Sequence, residues 1–117
     1  LLTENYSAAS KFDKQTDYRA SMPQFQKESF EKNRGLMEFI HRLADEKHAT
    51  PSQISLAWML CKKPWIVPIP GTRHLCRLKE NAGAADVCLS AGEVAMIDEA
   101  LDGMTMSEVF GGSKIIK

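Results

Sequence analysis

The sequence predicts an α/β fold that is predominantly helical. Apolar residues recur at helical spacing from Leu36 to Leu43 and again from Val94 to Leu101. Two capping signatures, Thr50 with Gln53 and Ser90 with Glu93, announce helix starts. One short β-branched run, Trp65-Ile66-Val67-Pro68-Ile69, reads as a strand. The order is therefore helix, helix, strand, helix, helix. A lone strand forms no sheet. Either the domain is α-rich with an orphan extended segment, or the partner strands lie upstream.

Residues 1–27 show little periodicity and are rich in polar and turn-forming side chains. A loop of this length inside a domain signals function or disorder. Tyr6, Phe12, Tyr18 and Phe25 give it something to pack with, so an ordered excursion is expected. A first helix starts at Ser29 or Phe30 and ends at Lys47 or His48, with Leu36, Phe39, Ile40 and Leu43 on one face. In the second, Thr50 caps the start and Pro51 takes the first helical position. Its run from Ile54 to Cys61 is apolar nearly all round, and such a helix needs cover on more than one side. Lys62-Lys63-Pro64 stops it. The strand that follows contains Pro68, which cannot donate to a ladder, so it belongs near an edge or a strand end. Pro70-Gly71-Thr72 turns the chain, and Thr72 is placed to cap a helix from His74 to about Gly83. A last helix runs from Ser90 through Val94, Ile97 and Leu101 and closes at Asp102-Gly103. Residues 103–117, with Gly111-Gly112, read as a tail that either covers a pocket or hangs free.

The chain has 117 residues, 44% hydrophobic and 26% charged, ordinary for a soluble domain with a modest core. Fifteen basic side chains balance fifteen acidic ones, which argues against a nucleic-acid partner and leaves room for a local anion site. No run approaches the roughly 20 apolar residues that span a bilayer, and no signal peptide is visible. The sequence opens Leu1-Leu2-Thr3 without a methionine, as a piece of a longer protein does. Cys61, Cys76 and Cys88 form no CxxC pair and are odd in number; free thiols in a reducing cytoplasm are expected.

The segment from Ile66 to Asn81 carries the chemistry. A strand runs through a tight turn directly into a helix, where unpaired amides and the macrodipole favour an anion. Gly71 permits close approach to the backbone, and the Thr72 hydroxyl can donate. Arg73 and Arg77 are neighbours at i and i+4, and two guanidinium groups beside a helix start make a clamp for a phosphate monoester. Glu80 and Asn81, a turn further on, suit a purine edge. The plain alternative is a strand-turn-helix whose arginines are merely solvated.

The string Val67-Pro68-Ile69-Pro70-Gly71-Thr72-Arg73, followed by Arg77-Leu78-Lys79-Glu80-Asn81, resembles the NADP(H) signature of the aldo-keto reductases. Thr50-Pro51-Ser52-Gln53-Ile54-Ser55-Leu56-Ala57-Trp58 resembles the preceding helix of that family, and Leu2-Thr3 with the Asp13 to Phe25 loop resembles the stretch that folds over the cofactor. The similarity runs from residue 1 to about 102. It implies the C-terminal portion of a (β/α)8 TIM barrel: residues 1–27 as the loop over the cofactor, 28–102 as the last barrel elements, and 103–117 as the tail. It implies that Thr72, Arg73 and Arg77, beside Gly71, contact the 2′-phosphate, that Glu80 and Asn81 hold the adenine, and that Leu2 and Thr3 approach the pyrophosphate. At Glu4 the family usually has glycine, which puts that last contact in doubt.

A complete barrel takes about 250 residues. The resemblance therefore implies a parent that reduces aldehydes or ketones by hydride transfer, with a tyrosine acid supported by lysine, aspartate and histidine. Nothing here matches that tetrad, Tyr6 and Tyr18 included, so no catalytic residue is assigned and the chain alone is expected to be inactive. The alternative is a non-catalytic helical interaction module that retains a nucleotide-binding segment, self-associating through an exposed strand edge and apolar surface. A helix-turn-helix over residues 28–61 fails on its neutral charge and its apolar second helix. Three further features have plain readings: His41, Asp45 and His48 as a solvated face rather than metal ligands, Trp58 and Met59 as core, and Cys76 as partly buried rather than reactive.

Overall fold

The computed structural model describes residues 6, 7 and 9–103. Leu2, Thr3, Glu4 and the tail from Met104 lie outside the described residues. Five α-helices follow one another: α1 (Lys27–Lys32), α2 (Arg34–Glu46), α3 (Pro51–Lys62), α4 (Leu75–Gly83) and α5 (Ala91–Asp102). Short 3-10 turns occupy Tyr18–Ser21, Pro23–Phe25 and Ala84–Asp86.

The single helix expected from Ser29 onward is two helices hinged at Asn33. Asn33 keeps a right-handed helical backbone, so the axis is interrupted without a loop. Asn33 and Gly35 are both weak helix formers, and they sit where the break falls. At the other end α2 finishes through a left-handed residue, His48 (φ 52°), with the Ala49 amide returning to the Ala44 carbonyl at 2.9 Å. That six-to-one bond is a Schellman cap made without glycine.

Both capping boxes form. Thr50 Oγ1 accepts from the Gln53 amide at 3.2 Å while Gln53 Oε1 accepts from the Thr50 amide at 2.9 Å. Ser90 and Glu93 repeat the exchange at 3.2 and 2.7 Å. Glu93 also accepts from Lys47 at 2.8 Å, so the start of α5 is tied to the end of α2.

Helix α3 is the centre: it touches α2, α4, α5 and the 84–86 turn. Ile54 is fully buried, among Ile40, Leu43 and Ala44 of α2 and Ile97 of α5. Leu36, Phe39, Leu101 and Trp58 close around them. Trp58 is thus part of the core's edge, as expected, with a polar anchor that periodicity does not show. Its indole N–H donates to Asp98 on α5 at 2.9 Å, and Lys62 Nζ reaches the same carboxylate at 2.5 Å.

The expected strand at 65–69 is not a strand, and none occurs among the described residues. The segment is extended, with Ile66 and Pro68 half-buried and Trp65, Val67 and Ile69 turned outward. Ile69 is 93% exposed. A ladder needs a second strand, and no other described segment is extended enough to supply one.

The N-terminal stretch is ordered by aromatic packing. Tyr6, Phe12 and Phe25 form a triangle with centroids 5.4 to 5.6 Å apart. Arg19 lies over the Tyr6 and Phe12 rings and donates to the Tyr6 hydroxyl, and Asp17 pairs with its guanidinium at 2.6 Å. Tyr18 was expected to pack here and instead points to solvent.

Truncating the central side chain, Ile54→Ala, is expected to cost about 3 kcal/mol, as full burial of isoleucine implies. Urea denaturation followed by circular dichroism measures it; a loss below about 1 kcal/mol would place the centre of the core elsewhere. A second expectation concerns acid. The Lys62 hydrogen bond, helped by the Trp58 indole, holds the Asp98 carboxyl below the usual range despite its partial burial. The unfolded chain therefore binds the Asp98 proton more readily. The stabilisation is complete above the unfolded carboxyl's value and is lost as pH falls through the lowered one. Asp98→Asn should flatten the acid limb of a tryptophan-fluorescence unfolding series, and an unchanged limb would remove this pair from the account.

Candidate functional site

The site begins where the extended segment ends. Pro70 and Gly71 lead into a bend at Arg73, and α4 starts at Leu75. Thr72 was expected to cap this helix; the cap position instead belongs to His74, whose side chain makes no capping bond. Thr72 acts one step earlier. Its Oγ1 accepts from the His74 amide at 3.1 Å and so braces the turn. The first amides of α4 are left without a side-chain acceptor, which is the condition under which a helix start attracts an anion.

A Cβ added at Gly71 would meet nothing within 4 Å. The chain itself does not need glycine there; the space over that backbone is open. Arg73 is exposed and has no ion-pair partner among the described residues. Arg77, one turn along α4, is half-buried, and its NH1 donates to Glu80 Oε2 at 2.5 Å. The two arginines thus differ: Arg73 is a solvated cation, whereas Arg77 is fixed by a carboxylate.

Glu80 is the most sheltered charge here, its side chain 14% exposed. Thr50 Oγ1 on α3 donates to its Oε1 at 2.8 Å, and Gln53 Nε2 donates to its main-chain carbonyl at 2.9 Å. Burial pushes the Glu80 carboxyl up, but the hydrogen bonds from Thr50 and Arg77 and the Arg77 charge outweigh it and hold it below the usual range. Glu80 is therefore a carboxylate at neutral pH, committed to two partners. Asn81 follows it, half-buried.

Gly71, Thr72, Arg77 and Asn81 share the wall of a cleft of about 850 Å³. Its floor is apolar, built from Leu36 and Ile40 of α2 and Leu56, Trp58 and Met59 of α3. Phe25 and Gln24 of the N-terminal stretch close one side, and Gln24 Oε1 is buried there without a hydrogen-bond partner. Of the sequence-derived candidates, four meet at this cleft. Glu80 stands behind them and Arg73 beside them; Leu2 and Thr3 lie outside the described residues.

Thr50, Gln53 and Asp98 escape a sequence reading as site or core partners. The Thr50–Gln53 box is visible in sequence, but its bonds to Glu80 span 30 and 27 residues, and only the packing of α3 on α4 makes them. Among the described residues no cluster of histidine, cysteine, aspartate and glutamate is placed to hold a metal ion, His41, Asp45 and His48 included. Cys61, Cys76 and Cys88 are free and exposed, so Cys76 is not partly buried as expected. No helix among the described residues is long and apolar enough to cross a membrane.

The arrangement offers an anion a helix start, a hydroxyl and two guanidinium groups, beside an apolar cleft wide enough for an aromatic ring system. It holds no acid–base pair aimed at a common point.

The sequence profile of the Aldo/keto reductase family matches residues 1–102. The chain is 41% identical to the aldo-keto reductase yakc of Schizosaccharomyces pombe, whose name specifies NADP(+), over 98% of its own length and 35% of that protein's. It is 35% identical to the aldo-keto reductase str7 of Strobilurus tenacellus, covering 83% of the chain and 29% of the relative. With the probable aldo-keto reductase 1 of Glycine max it shares 41% identity over 77% of the chain and 25% of the relative. No solved structure matches significantly. The chain thus spans about a third or less of the length of these relatives. With helix boundaries, turn and cleft all falling inside the matched residues, the chain belongs to the aldo/keto reductase family.

Proposed function

We propose that this chain is the C-terminal, cofactor-gripping portion of an NADP(H)-dependent aldo-keto reductase, holding the 2′-phosphate and adenosine. The observation that carries this is the junction at residues 71–77: open space over Gly71, the braced Thr72 turn, uncapped amides at the α4 start, and Arg73 and Arg77 on either side. A phosphate monoester at neutral pH carries more than one negative charge, and paired guanidinium groups match its oxygens in a fork. The residues fit the group.

In this reading Arg73 supplies charge and Arg77 supplies direction. Arg77 gives NH1 to Glu80 and keeps its remaining N–H groups for the phosphate. Glu80 then serves the adenine less directly than its position in the motif implies, because both of its oxygens already accept. Asn81, which lines the cleft, is the amide left to meet a purine edge. The cofactor, when bound, supplies the hydride for reduction of an aldehyde or ketone; the chain's own residues bind and orient. No catalytic acid is assigned among them, and the chain alone should not turn over. The extended strip at 65–70 becomes the last strand of a (β/α)8 barrel once neighbouring strands flank it, and residues 1–27 fold over the cofactor.

One observation favours a second reading, a helical interaction module. Trp65, Val67, Ile69, Leu75 and Leu78 are all exposed along the strip and the first turns of α4. Apolar surface of this kind drives association. That reading expects a concentration-dependent oligomer in sedimentation and no response to nucleotide.

Titration with NADPH and with NADH, followed by quenching of tryptophan fluorescence, tests the first reading, since Trp58 lines the cleft. NADPH should bind more tightly than NADH. Arg73→Ala and Arg77→Ala should each weaken NADPH by about tenfold, the worth of a charged hydrogen bond, with little effect on NADH. If neither substitution changes the NADPH affinity, the phosphate clamp is wrong.

A further inference from the structure

The cofactor reading leaves one part of the structure unused: the bonds from α3 to α4. Thr50 and Gln53 are members of a helix capping box, a device that ordinarily satisfies only its own helix. Here the box is connected outward. Thr50 Oγ1 accepts from the Gln53 amide and donates to Glu80 Oε1 at 2.8 Å. Gln53 Oε1 accepts from the Thr50 amide, and Nε2 donates to the Glu80 carbonyl at 2.9 Å. Glu80 is thus held at its side chain and at its backbone by two residues of a different helix. Its other oxygen holds Arg77 at 2.5 Å. Even the end of α4 reflects the arrangement: a Cβ at Gly83 would stand 2.9 Å from Gln53 Nε2. Glycine at that position leaves the amide room to reach Glu80.

We propose that Thr50 and Gln53 are positioning residues of the nucleotide site, orienting Glu80 so that it fixes the Arg77 guanidinium and thereby sets the preference for a 2′-phosphorylated nucleotide. The proposal rests on the NADP(H) reading above. Its physical basis is the entropy of arginine. A free arginine side chain loses rotamer freedom when it is immobilised, and a ligand that must immobilise it binds more weakly by that loss. An arginine already held by a carboxylate has lost that freedom before the ligand arrives. Glu80 also offsets the Arg77 charge, so what Arg77 contributes to selectivity is direction more than charge. Direction depends on Glu80 staying where Thr50 and Gln53 hold it.

Two nucleotides that differ only at the 2′ position isolate the effect: adenosine 2′,5′-bisphosphate and adenosine 5′-monophosphate, titrated into this chain by calorimetry. The readout is the ratio of their affinities, in which adenine and ribose contacts cancel. Arg77→Ala sets the floor for that ratio. Thr50→Val removes the hydroxyl while keeping the shape, and should lower the ratio by about fivefold, the worth of one such hydrogen bond. Thr50→Ser restores the hydroxyl and should restore the ratio. Ser90→Ala breaks the capping box of α5, far from the site, at a similar cost in stability. It should leave the ratio where it was.

Should Thr50→Val fold poorly, Gly83→Ala tests the same link with the Thr50 hydroxyl left in place, because its methyl displaces the Gln53 amide from Glu80. A ratio that stays at the wild-type value in Thr50→Val or Gly83→Ala, while Arg77→Ala lowers it, overturns the positioning role and leaves the cofactor reading standing. A wild-type ratio already equal to that of Arg77→Ala overturns the cofactor reading, and the positioning role with it.

Discussion

A helix with apolar side chains on every side has to be covered on every side, and α3 is such a helix. Most of the described structure follows from how far that demand is met. Ile40, Leu43 and Ala44 of α2 and Ile97 of α5 bury Ile54. Leu56, Trp58 and Met59 line a wide cleft, which Ile54 also borders. The same helix therefore organises the core and leaves the surface on which a planar ligand can lie. Its amino-terminal cap does a third task by reaching α4. One element sets the core, the cleft and the carboxylate that holds Arg77.

What the sequence makes legible is what short range determines. The two capping boxes, the faces of α2 and α5 and the turn into α4 depend on residues three or four apart, and they form where the spacing places them. Within the Gly71 to Asn81 motif, Gly71, Thr72, Arg77 and Asn81 line one cleft while Arg73 and Glu80 do not, and Thr72 braces the turn rather than capping the helix. The misses are of a different kind. Pairing of the 65–69 run depends on other strands, so β-propensity there produces only an extended strip. The break at Asn33 depends on two weak helix formers outweighing a good apolar stripe on either side. Asp98 looks like an ordinary surface acid until α5 lies across α3 and presents it to Trp58 and Lys62. The Thr50–Glu80 bond belongs to the same class, because it exists only in the packed structure.

Charge in the site is distributed rather than summed. Arg73 and Arg77 are four residues apart and chemically alike, yet one is solvated and the other is sheltered and paired. A solvated guanidinium attracts an anion over a distance but is screened by salt. A paired one attracts weakly from afar and discriminates at contact through geometry. The two therefore offer different things to an anion: Arg73, at the bend before α4, offers charge, and Arg77, inside α4, offers a fixed direction. The half-buried, carboxylate-linked member is also the one whose environment a substitution elsewhere can disturb.

The prolines at 68 and 70 have a consequence for how this chain behaves before its extended strip is covered. A bare, β-branched segment is the kind of surface along which identical chains zip together into cross-β stacks. Such stacking needs an uninterrupted row of amide donors. Pro68 and Pro70 remove two of them from a run of six residues, 65–70, so no copy can propagate pairing along its full length. The prolines that shape the turn into α4 thus also act as gatekeepers, keeping an exposed extended strip from templating its own aggregation.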